Sequence, residues 1–291
     1  SVADFALWKT WTEADGDVKW DSPWGEGRPG WHIECSAMSH THLGEHFDIH
    51  TGGVDNMFPH HEDEIAQSEC AHGCKYVNYW MHNEHLLVEN TKMSKSLGNF
   101  YTLRDLLDKG YTGREIRWLL LSAHYRQKLN FTFKGLDTAR TILRRIDDFV
   151  RRMQLLANES SKGMQKSEAI AAEALAKFRE GVEDDLNTPV AIAALFDFMR
   201  EANKAADDGD ISGDAATAVL DCALEMNRVL GVIDTDLEES VPAEVLALLE
   251  ERQEARKSRN FARADEIRNL LKADGWDIED TPKGPRVVRA E

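Results

Sequence analysis

Residues 89–100, "ENTKMSKSLGNF", place Lys92 and Lys95 in a short segment that also contains serine, glycine and asparagine. This composition is typical of a loop, because glycine and asparagine favour turns over regular elements. Ammonium groups on a loop can stabilise negative charge that develops on phosphates, and a mobile loop can close once a nucleotide is bound. The stretch therefore indicates a phosphate-binding loop, and the alternative is a solvated loop with incidental lysines.

The composition is that of a globular protein. The 291 residues are 42% hydrophobic, which suffices for one large domain or two to three ordinary ones. The sequence contains no apolar run of 18 residues and no signal-peptide pattern, so we expect a cytoplasmic protein without a membrane segment. The spacing of the four cysteines is unlike a disulfide framework, so we expect reduced thiols or metal ligands.

The formal net charge of −17 argues at first against a nucleic-acid partner, because phosphates require basic residues. The charge is unevenly distributed, however. It is −10 over residues 1–100, +5 over 101–160, −13 over 161–250 and +1 over 251–291. Two segments could therefore contact a polyanion while the rest repels it, although a basic surface is more often simply solvated.

Histidines and strand patterns concentrate before residue 100, and helical periodicity follows it. Ten of the eleven histidines lie between His32 and His85, where "HFDIH" and "YVNYWMHNEHLLV" are typical of strands. Thr102 and Asp105 form a predicted capping box for a helix that stops at Gly110. Further helices are predicted over 113–124, 135–157, 167–182, 188–206, 214–231, from Pro242 to about Arg256, and over 261–273, with a hairpin in "DGWDIEDTPKGPRVVR".

A metal constellation is predicted around "PHHEDEIAQSECA". If a helix begins at Pro59, His60 and Glu64 lie at i and i+4 on one face, where they could bind one metal ion. Such a pair taken alone is more often a surface pair, and His61 is expected to pack or to hydrogen-bond. Cys35 offers a third ligand, and thiolate, imidazole and carboxylate together favour zinc with one open position. The spacing Cys70-x-x-x-Cys74 lacks a second ligand pair and is not expected to bind zinc.

Several motifs, in order along the chain, resemble one family. "KMSKS" at 92–96 is identical to the second signature of class I aminoacyl-tRNA synthetases. "GWHIECSAMS", "FDIHTGGVDNMFPHHEDEIAQSE" and "YWMH" closely resemble cysteinyl-tRNA synthetases, as do "DDLNTPVAIAALFD" and "RADEIRNLLKADGWDIEDTPKGPRVVR" further on. The resemblance runs from about residue 5 to the last residue.

The resemblance implies roles for matching residues. Cys35, His60 and Glu64 would bind zinc, which would take the substrate cysteine's thiolate. Trp31, His50 and Asp55 would line the amino-acid pocket, with the Asp55 carboxylate facing the substrate ammonium. Lys95, helped by Lys92, would bind ATP and stabilise the departing pyrophosphate. The residues that would contact the anticodon are Arg256, Phe261, Asp265 and Asp280.

The resemblance also implies an α/β region followed by mostly α structure. Residues 1–90 would be the C-terminal half of a Rossmann-like catalytic domain, and 91–134 the KMSKS loop with a stem-contact region. Residues 135–238 would be a tRNA-binding helical bundle, and 239–291 a small mixed α/β anticodon-binding unit. The implied partners are tRNA(Cys), L-cysteine and ATP with Mg²⁺, with one Zn²⁺ per chain, no membrane, and a cytoplasmic monomer.

The sequence departs from the family pattern at one point. The first class I signature, a "HIGH" element that cradles ATP, has no counterpart, since "THLGEH" at 41–46 lacks the preceding strand pattern. The first half of the nucleotide-binding fold and the family's fourth zinc ligand are also missing, so we expect a C-terminal portion that is inactive alone. Two alternatives stay open: a ligase that attaches cysteine to an amino sugar, and a zinc-containing tRNA-binding module without ATP chemistry.

Overall fold

The computed structural model describes residues 4–235, 243–281 and 284–289. The chain divides into two compact units, Ser1–Ile233 and Asp234–Glu291, and each is described by itself. The strands are β1 (Trp8–Thr10), β2 (Gly27–Pro29), β3 (Phe47–Gly53), β4 (Val77–Asn83), β5 (Leu86–Val88), β6 (Thr91–Lys92), β7 (Leu129–Phe131), β8 (Trp276–Thr281) and β9 (Gly284–Arg289). The helices are α1 (Trp31–Leu43), α2 (Glu62–His72), α3 (Leu103–Asp108), α4 (Gly113–Leu121), α5 (Phe133–Ala157), α6 (Met164–Glu183), α7 (Thr188–Asp207), α8 (Asp214–Leu230), α9 (Ala243–Lys257) and α10 (Phe261–Ala273).

The first predicted strands are confirmed, and they form a parallel pair. β3 and β4 pair from Phe47 opposite Val77 to Gly53 opposite Asn83, with α2 in the connection between them. The second apolar run divides at Glu84, and its last residues form β5 in another sheet. Parallel strands joined by a helix bring their C-terminal ends to one edge, where sites in such folds are built.

β5 is the centre of a three-stranded sheet, antiparallel to β6 and parallel to β7. Residues of β5 and β7 share a hydrophobic core with α3, α4 and the start of α5. The buried members of this core are Val88, Leu106, Ile116, Leu119, Phe131 and Leu136. The sheet that contains Lys92 therefore packs against an apolar core.

The predicted helix over 59–71 begins later than expected, and this correction has a local cause. Phe58 is extended, with φ −138° and ψ 132°, as expected for a residue that precedes a proline. Residues Met57–His61 form a wide turn, and the regular helix starts at Glu62. The other predicted helices are present, most of them with shifted ends, and the helix over 261–273 has the predicted bounds. Pro242, the predicted start of another, lies outside the described residues. The capping box of Thr102 and Asp105 is confirmed.

Four helices, α5 to α8, form a bundle whose interior is rich in alanine. Small side chains allow close approach: a Cβ at Gly181 would lie 2.8 Å from the backbone nitrogen of Ala191, between α6 and α7. α6 begins at Met164, before the predicted start at residue 167, and its N-cap is Gly163, which adopts a left-handed conformation (φ 74°). Buried alanines of the bundle are Ala139, Ala174, Ala191, Ala194, Ala202, Ala205, Ala215, Ala216 and Ala223.

Two arginines of α4 attach the bundle to the sheet region. Arg114 forms a bidentate ion pair with Asp147 of α5 and donates from Nε to the carbonyl of Val232 at 2.5 Å. Arg117 donates to the carbonyls of Val229 and Leu230, at the end of α8. The last carbonyls of a helix lack internal partners, so these guanidinium groups satisfy them and complement the helix dipole.

The second unit contains α9, α10 and the predicted hairpin of β8 and β9. Its core consists of Val245, Ile267, Leu271 and Trp276. Across the described ranges of both units, none of the helices has the combination of length and apolarity that crossing a bilayer requires.

We expect Arg114→Ala to lower the free energy of unfolding by about 2 kcal/mol, because a half-buried Asp147 loses its charged donor. Urea denaturation followed by circular dichroism measures the change. Arg228→Ala is the control, since this arginine is 76% exposed and makes only an i,i+3 pair, whose loss costs at most about 0.5 kcal/mol. Equal stability of the two variants would contradict the assigned role of Arg114.

Candidate metal centre and phosphate loop

Three predicted ligands converge from separate elements. Cys35 lies on α1, His60 on the wide turn and Glu64 in the first turn of α2. One ligand atom from each lies within 4.8 Å of the other two. Glu64 is completely buried and His60 nearly so. The delayed start of α2 therefore leaves the predicted His60 and Glu64 pairing intact.

The Glu64 carboxylate is satisfied on one side only. Its Oε2 lies 3.0 Å from His50 Nε2 and accepts a hydrogen bond from the Tyr76 hydroxyl at 3.3 Å. Its Oε1 lies 2.8 Å from His60 Nε2, yet among the described residues it has no hydrogen-bond donor in suitable orientation. A buried carboxylate oxygen without a donor is costly, and a cation between Cys35, His60 and Glu64 would remove that cost.

The protonation states around Glu64 also suit a cation. Burial lowers the pKa of His60, and it lowers the pKa of His61 to about 4. Both rings are therefore neutral at pH 7, and a neutral imidazole has a lone pair for a metal. Burial, with the Glu64 charge second, raises the pKa of the Cys35 thiol, so a bound cation would have to displace its proton.

A second group of residues holds the ligands in place. His60 Nδ1 lies 2.5 Å from His32 Nδ1, and His32 Nε2 lies 3.2 Å from an Asp63 oxygen. The Trp31 ring stacks on His60 with centroids 4.0 Å apart. Partners of this kind fix the tautomer and orientation of a metal-binding imidazole. Sequence reasoning missed His32 and Asp63, although both are adjacent to predicted residues.

His61 behaves as predicted and hydrogen-bonds, through Nδ1, to His82 Nε2 at 2.8 Å. A Cβ at Gly52 would come within 2.7 Å of the His61 ring, so only glycine fits at that position. His50, His61 and Glu64 form a second set of converging ligand atoms that shares Glu64 with the first. His61 and His82 therefore pack against the cluster from the sheet side.

The three residues predicted to line the amino-acid pocket are not all brought to one cavity. Trp31 and His32 border a cavity of about 780 Å³ with Phe5, Met57 and Phe58. His50 instead contacts Glu64 from β3. Asp55 is exposed on the turn after β3, where a Cβ on Gly53 would lie 2.3 Å from its Oδ1. The cavity therefore adjoins the cluster at Trp31, while Asp55 lies outside its lining.

The lysine loop is folded rather than irregular. Lys92 ends β6, and Lys95 begins a single helical turn that Ser94 Oγ caps by accepting from the Leu97 N–H at 3.2 Å. Met93 packs against the core beneath β5. Both lysines are exposed, and Lys95 Nζ lies 5.5 Å from the Phe100 ring centroid. Within the described residues neither lysine forms an ion pair, so both charges can bind an anion.

The predicted contact residues of the second unit are placed as follows. Arg256 lies near the end of α9, and Phe261 begins α10 with 60% of its surface exposed. Asp265 is exposed one turn further along α10. Asp280 belongs to β8, but its side chain lies outside the described residues. Phe261 and Asp265 share one helix face, because they are four residues apart.

Comparison with protein families gives three matches in chain order. Residues 1–141 match the class I (C) tRNA synthetase catalytic domain, 177–234 the DALR domain, and 238–287 the cysteinyl-tRNA ligase anticodon binding domain. The chain is therefore similar to the cysteinyl-tRNA synthetase family along most of its length. Its first region is thus part of a class I synthetase catalytic domain, followed by helical and anticodon-binding domains.

Curated cysteine–tRNA ligases agree over nearly the whole chain. The Protochlamydia amoebophila protein is 49% identical over 290 residues, which cover 99% of this chain and 60% of that protein. The Brachyspira hyodysenteriae protein is 47% identical over 298 residues, with 99% and 62% covered. The chain therefore spans about 60% of the length of such relatives and matches their C-terminal part.

A solved structure supports the class I fold. LeuRS of Agrobacterium radiobacter, in a ternary complex with tRNA and LeuAMS, aligns with a TM-score of 0.57 at 16% identity. The alignment covers 74% of this chain and 32% of that one. At this identity the likeness concerns the fold alone.

We expect Glu64→Gln to stabilise the metal-free protein while removing its response to metal. The amide nitrogen can donate to His60 Nε2, where the wild-type Oε1 has no donor. In EDTA the thermal midpoint should equal or exceed that of the wild type, and added Zn²⁺ should raise only the wild-type midpoint. A lower midpoint in EDTA, or an equal rise with Zn²⁺, would show that Oε1 is not held for a cation.

Proposed function

We propose that the chain is the C-terminal part of a cysteine–tRNA ligase, which activates L-cysteine with ATP and transfers it to tRNA(Cys). Similarity to this family supports the reaction class. The observation that carries cysteine as the substrate is the convergence of Cys35, His60 and a buried Glu64 oxygen that lacks a donor. A thiolate, an imidazole and a carboxylate together suit zinc, an ion that also binds the sulfur of a substrate.

Cys35, His60 and Glu64 would hold Zn²⁺, one ion per chain. When bound, zinc supplies a soft Lewis acid that takes the substrate thiolate, a bond that the serine hydroxyl cannot match. The chain's own residues orient the ligands: Tyr76 and His50 hold one oxygen of Glu64, so the other faces His60. Selection by bonding chemistry is needed, because a difference of one atom gives little discrimination by size.

The two lysines would act on ATP, which binds with Mg²⁺. In the first step the cysteine carboxylate attacks the α-phosphate, forming cysteinyl-adenylate and releasing pyrophosphate. Lys95, helped by Lys92, stabilises the negative charge that develops on the leaving pyrophosphate. In the second step a hydroxyl of the terminal ribose of tRNA(Cys) attacks the cysteinyl carbonyl, and AMP leaves. Trp31, His50 and Asp55 would complete the amino-acid pocket.

The remaining regions would bind tRNA. We assign residues 1–90 to the catalytic domain, 91–134 to the KMSKS loop and stem contact, 135–238 to the bundle, and 239–291 to the anticodon-binding unit. Exposed Phe261 offers a ring on which a base can stack, beside Asp265, with Arg256 and Asp280 as further contacts. The match of 238–287 to an anticodon-binding domain favours tRNA over an amino-sugar acceptor. We place the reaction in the cytoplasm, in a monomer.

Metal analysis tests the ligand assignment. After dialysis the chain should retain about one zinc ion, and Cys35→Ser should weaken zinc binding at least about tenfold, because the thiolate is lost. Cys70→Ser is the matched control, since this exposed cysteine lies outside the cluster and its loss should leave zinc content unchanged. A folded sample without zinc, or equal effects of the two substitutions, would refute the assignment.

Pyrophosphate exchange tests the role of the loop. In the full-length protein, Lys95→Ala should slow cysteine-dependent ATP–pyrophosphate exchange by about 10²-fold, the usual effect of losing one charge-stabilising group. Lys128→Ala, another exposed lysine of the same region, should leave the exchange rate unchanged. If Lys95→Ala exchanges at the wild-type rate, the loop does not act on the leaving group.

A further inference from the structure

We propose that Asn99 is a positioning residue that holds residues 91–99 in the shape from which Lys92 and Lys95 act on ATP. The inference rests on the proposed function of the lysine loop. Asn99 itself is not assigned a contact with substrate. It acts by joining the two ends of the loop through its side-chain amide.

The Asn99 amide closes the loop with three hydrogen bonds. Its Oδ1 accepts from the Ser94 N–H at 2.9 Å. Its Nδ2 donates to Thr91 Oγ1 at 2.9 Å and to the Lys92 carbonyl at 3.1 Å. An asparagine amide offers two donors and an acceptor group, and here both kinds are used. The backbone on either side of Lys92 and Lys95 is thereby bound to one side chain.

The closed loop is also fixed to the core. Thr91 Oγ1, which accepts from Asn99, donates to the carbonyl of Val88 at 2.9 Å. Val88 is 1% exposed and belongs to the core of the three-stranded sheet. Met93 packs against the same core, between the two lysines in sequence. The hydrogen-bonded chain from Val88 through Thr91 to Asn99 therefore positions the loop relative to a rigid element.

Hydrogen bonds also hold the turn between β5 and β6, which precedes the loop. Glu89 and Asn90 have φ angles of 47° and 63°, which non-glycine residues seldom adopt. Asn90 exchanges two hydrogen bonds with the Asn130 side chain of β7: its N–H donates at 2.7 Å, and its Oδ1 accepts at 2.9 Å. Asn130 thus fixes the turn between β5 and β6, and Asn99 fixes the segment that follows β6.

We call the three hydrogen bonds of the Asn99 side chain to Thr91, Lys92 and Ser94 the clasp. The clasp is needed because the two lysines do not order the loop themselves. Two like charges repel, and neither forms an ion pair in the described part of the chain. Charge stabilisation is strongest when the cations are in place before charge develops, so that no ordering is required during the reaction. Removing the clasp should therefore affect the chemical step more than the binding of cysteine.

The kinetic test uses the full-length protein and ATP–pyrophosphate exchange. Asn99→Ala should lower kcat by about 10- to 100-fold, the range expected from misplacement of a catalytic group, with an unchanged KM for cysteine. Thr91→Val should have a smaller effect of the same kind, and Thr91→Ser should restore activity because it keeps the bridging hydroxyl. Leu97→Ala, at an exposed side chain of the same loop, should exchange at the wild-type rate.

Limited proteolysis tests the clasp without any activity. Trypsin should cleave this chain after Lys92 and Lys95 at least about fivefold faster in Asn99→Ala than in the wild type, since losing the hydrogen bonds favours local opening. Leu97→Ala should be cleaved at the wild-type rate. Unchanged cleavage of Asn99→Ala would overturn the clasp.

The two tests separate the inference from the function on which it rests. If the wild-type full-length protein performs no exchange, the proposed function fails, whereas the cleavage rates still test the clasp. If the wild type is active and Asn99→Ala keeps its kcat, Asn99 has no positioning role and the function stands. A raised KM for cysteine with unchanged kcat would likewise overturn the positioning role.

Discussion

The structure around the candidate metal centre depends on one buried carboxylate. Glu64 is completely inaccessible to water, and burying a charge without partners is prohibitively costly. Three segments therefore direct polar groups at it: His50 from β3, Tyr76 from the residue before β4, and His60 from the turn before α2. These partners supply donors to only one of its oxygens, and the cost that remains is the physical reason why this cluster favours a cation.

The buried carboxylate explains much of the sequence nearby. Tyr76 Oη contacts Glu64 and Ser39 Oγ of α1, so a single hydroxyl joins α1 to the parallel strands. Gly52 must lack a side chain because the His61 ring occupies that space. Residues of α1, of β3 and of the segment before β4 are thus constrained by contacts with Glu64 or with its neighbours Tyr76 and His61.

The sequence predicted local elements well because their signals are local. The Thr102 capping box and the hairpin after α10 follow from side chains a few residues apart. The start of α2 was wrong, since the effect of Pro59 on Phe58 outweighed its preference for a first helical turn. His60 and Glu64 were predicted from their i, i+4 spacing, and Cys35 was added because a thiolate completes a zinc donor set. Tyr76 and His32 were missed because no local pattern in the sequence indicates their contacts with distant residues.

The candidate metal centre adjoins the sheet of β3 and β4, whereas the lysine loop follows β5 in another sheet. Contacts between these two regions therefore determine their relative position. Only Glu84 and His85 separate β4 from β5, and the Glu84 N–H donates to the carbonyl of Tyr125 at 2.8 Å. The Tyr125 hydroxyl and Arg126 in turn bind Asp185, whose φ of 53° places it in the sharp turn between α6 and α7. The motif "DDLNTPVAIAALFD" thereby gains a structural role, because its second aspartate fixes the bundle to the short link between the two sheets. These contacts connect the bundle to the segment between the Cys35, His60 and Glu64 cluster and the two lysines.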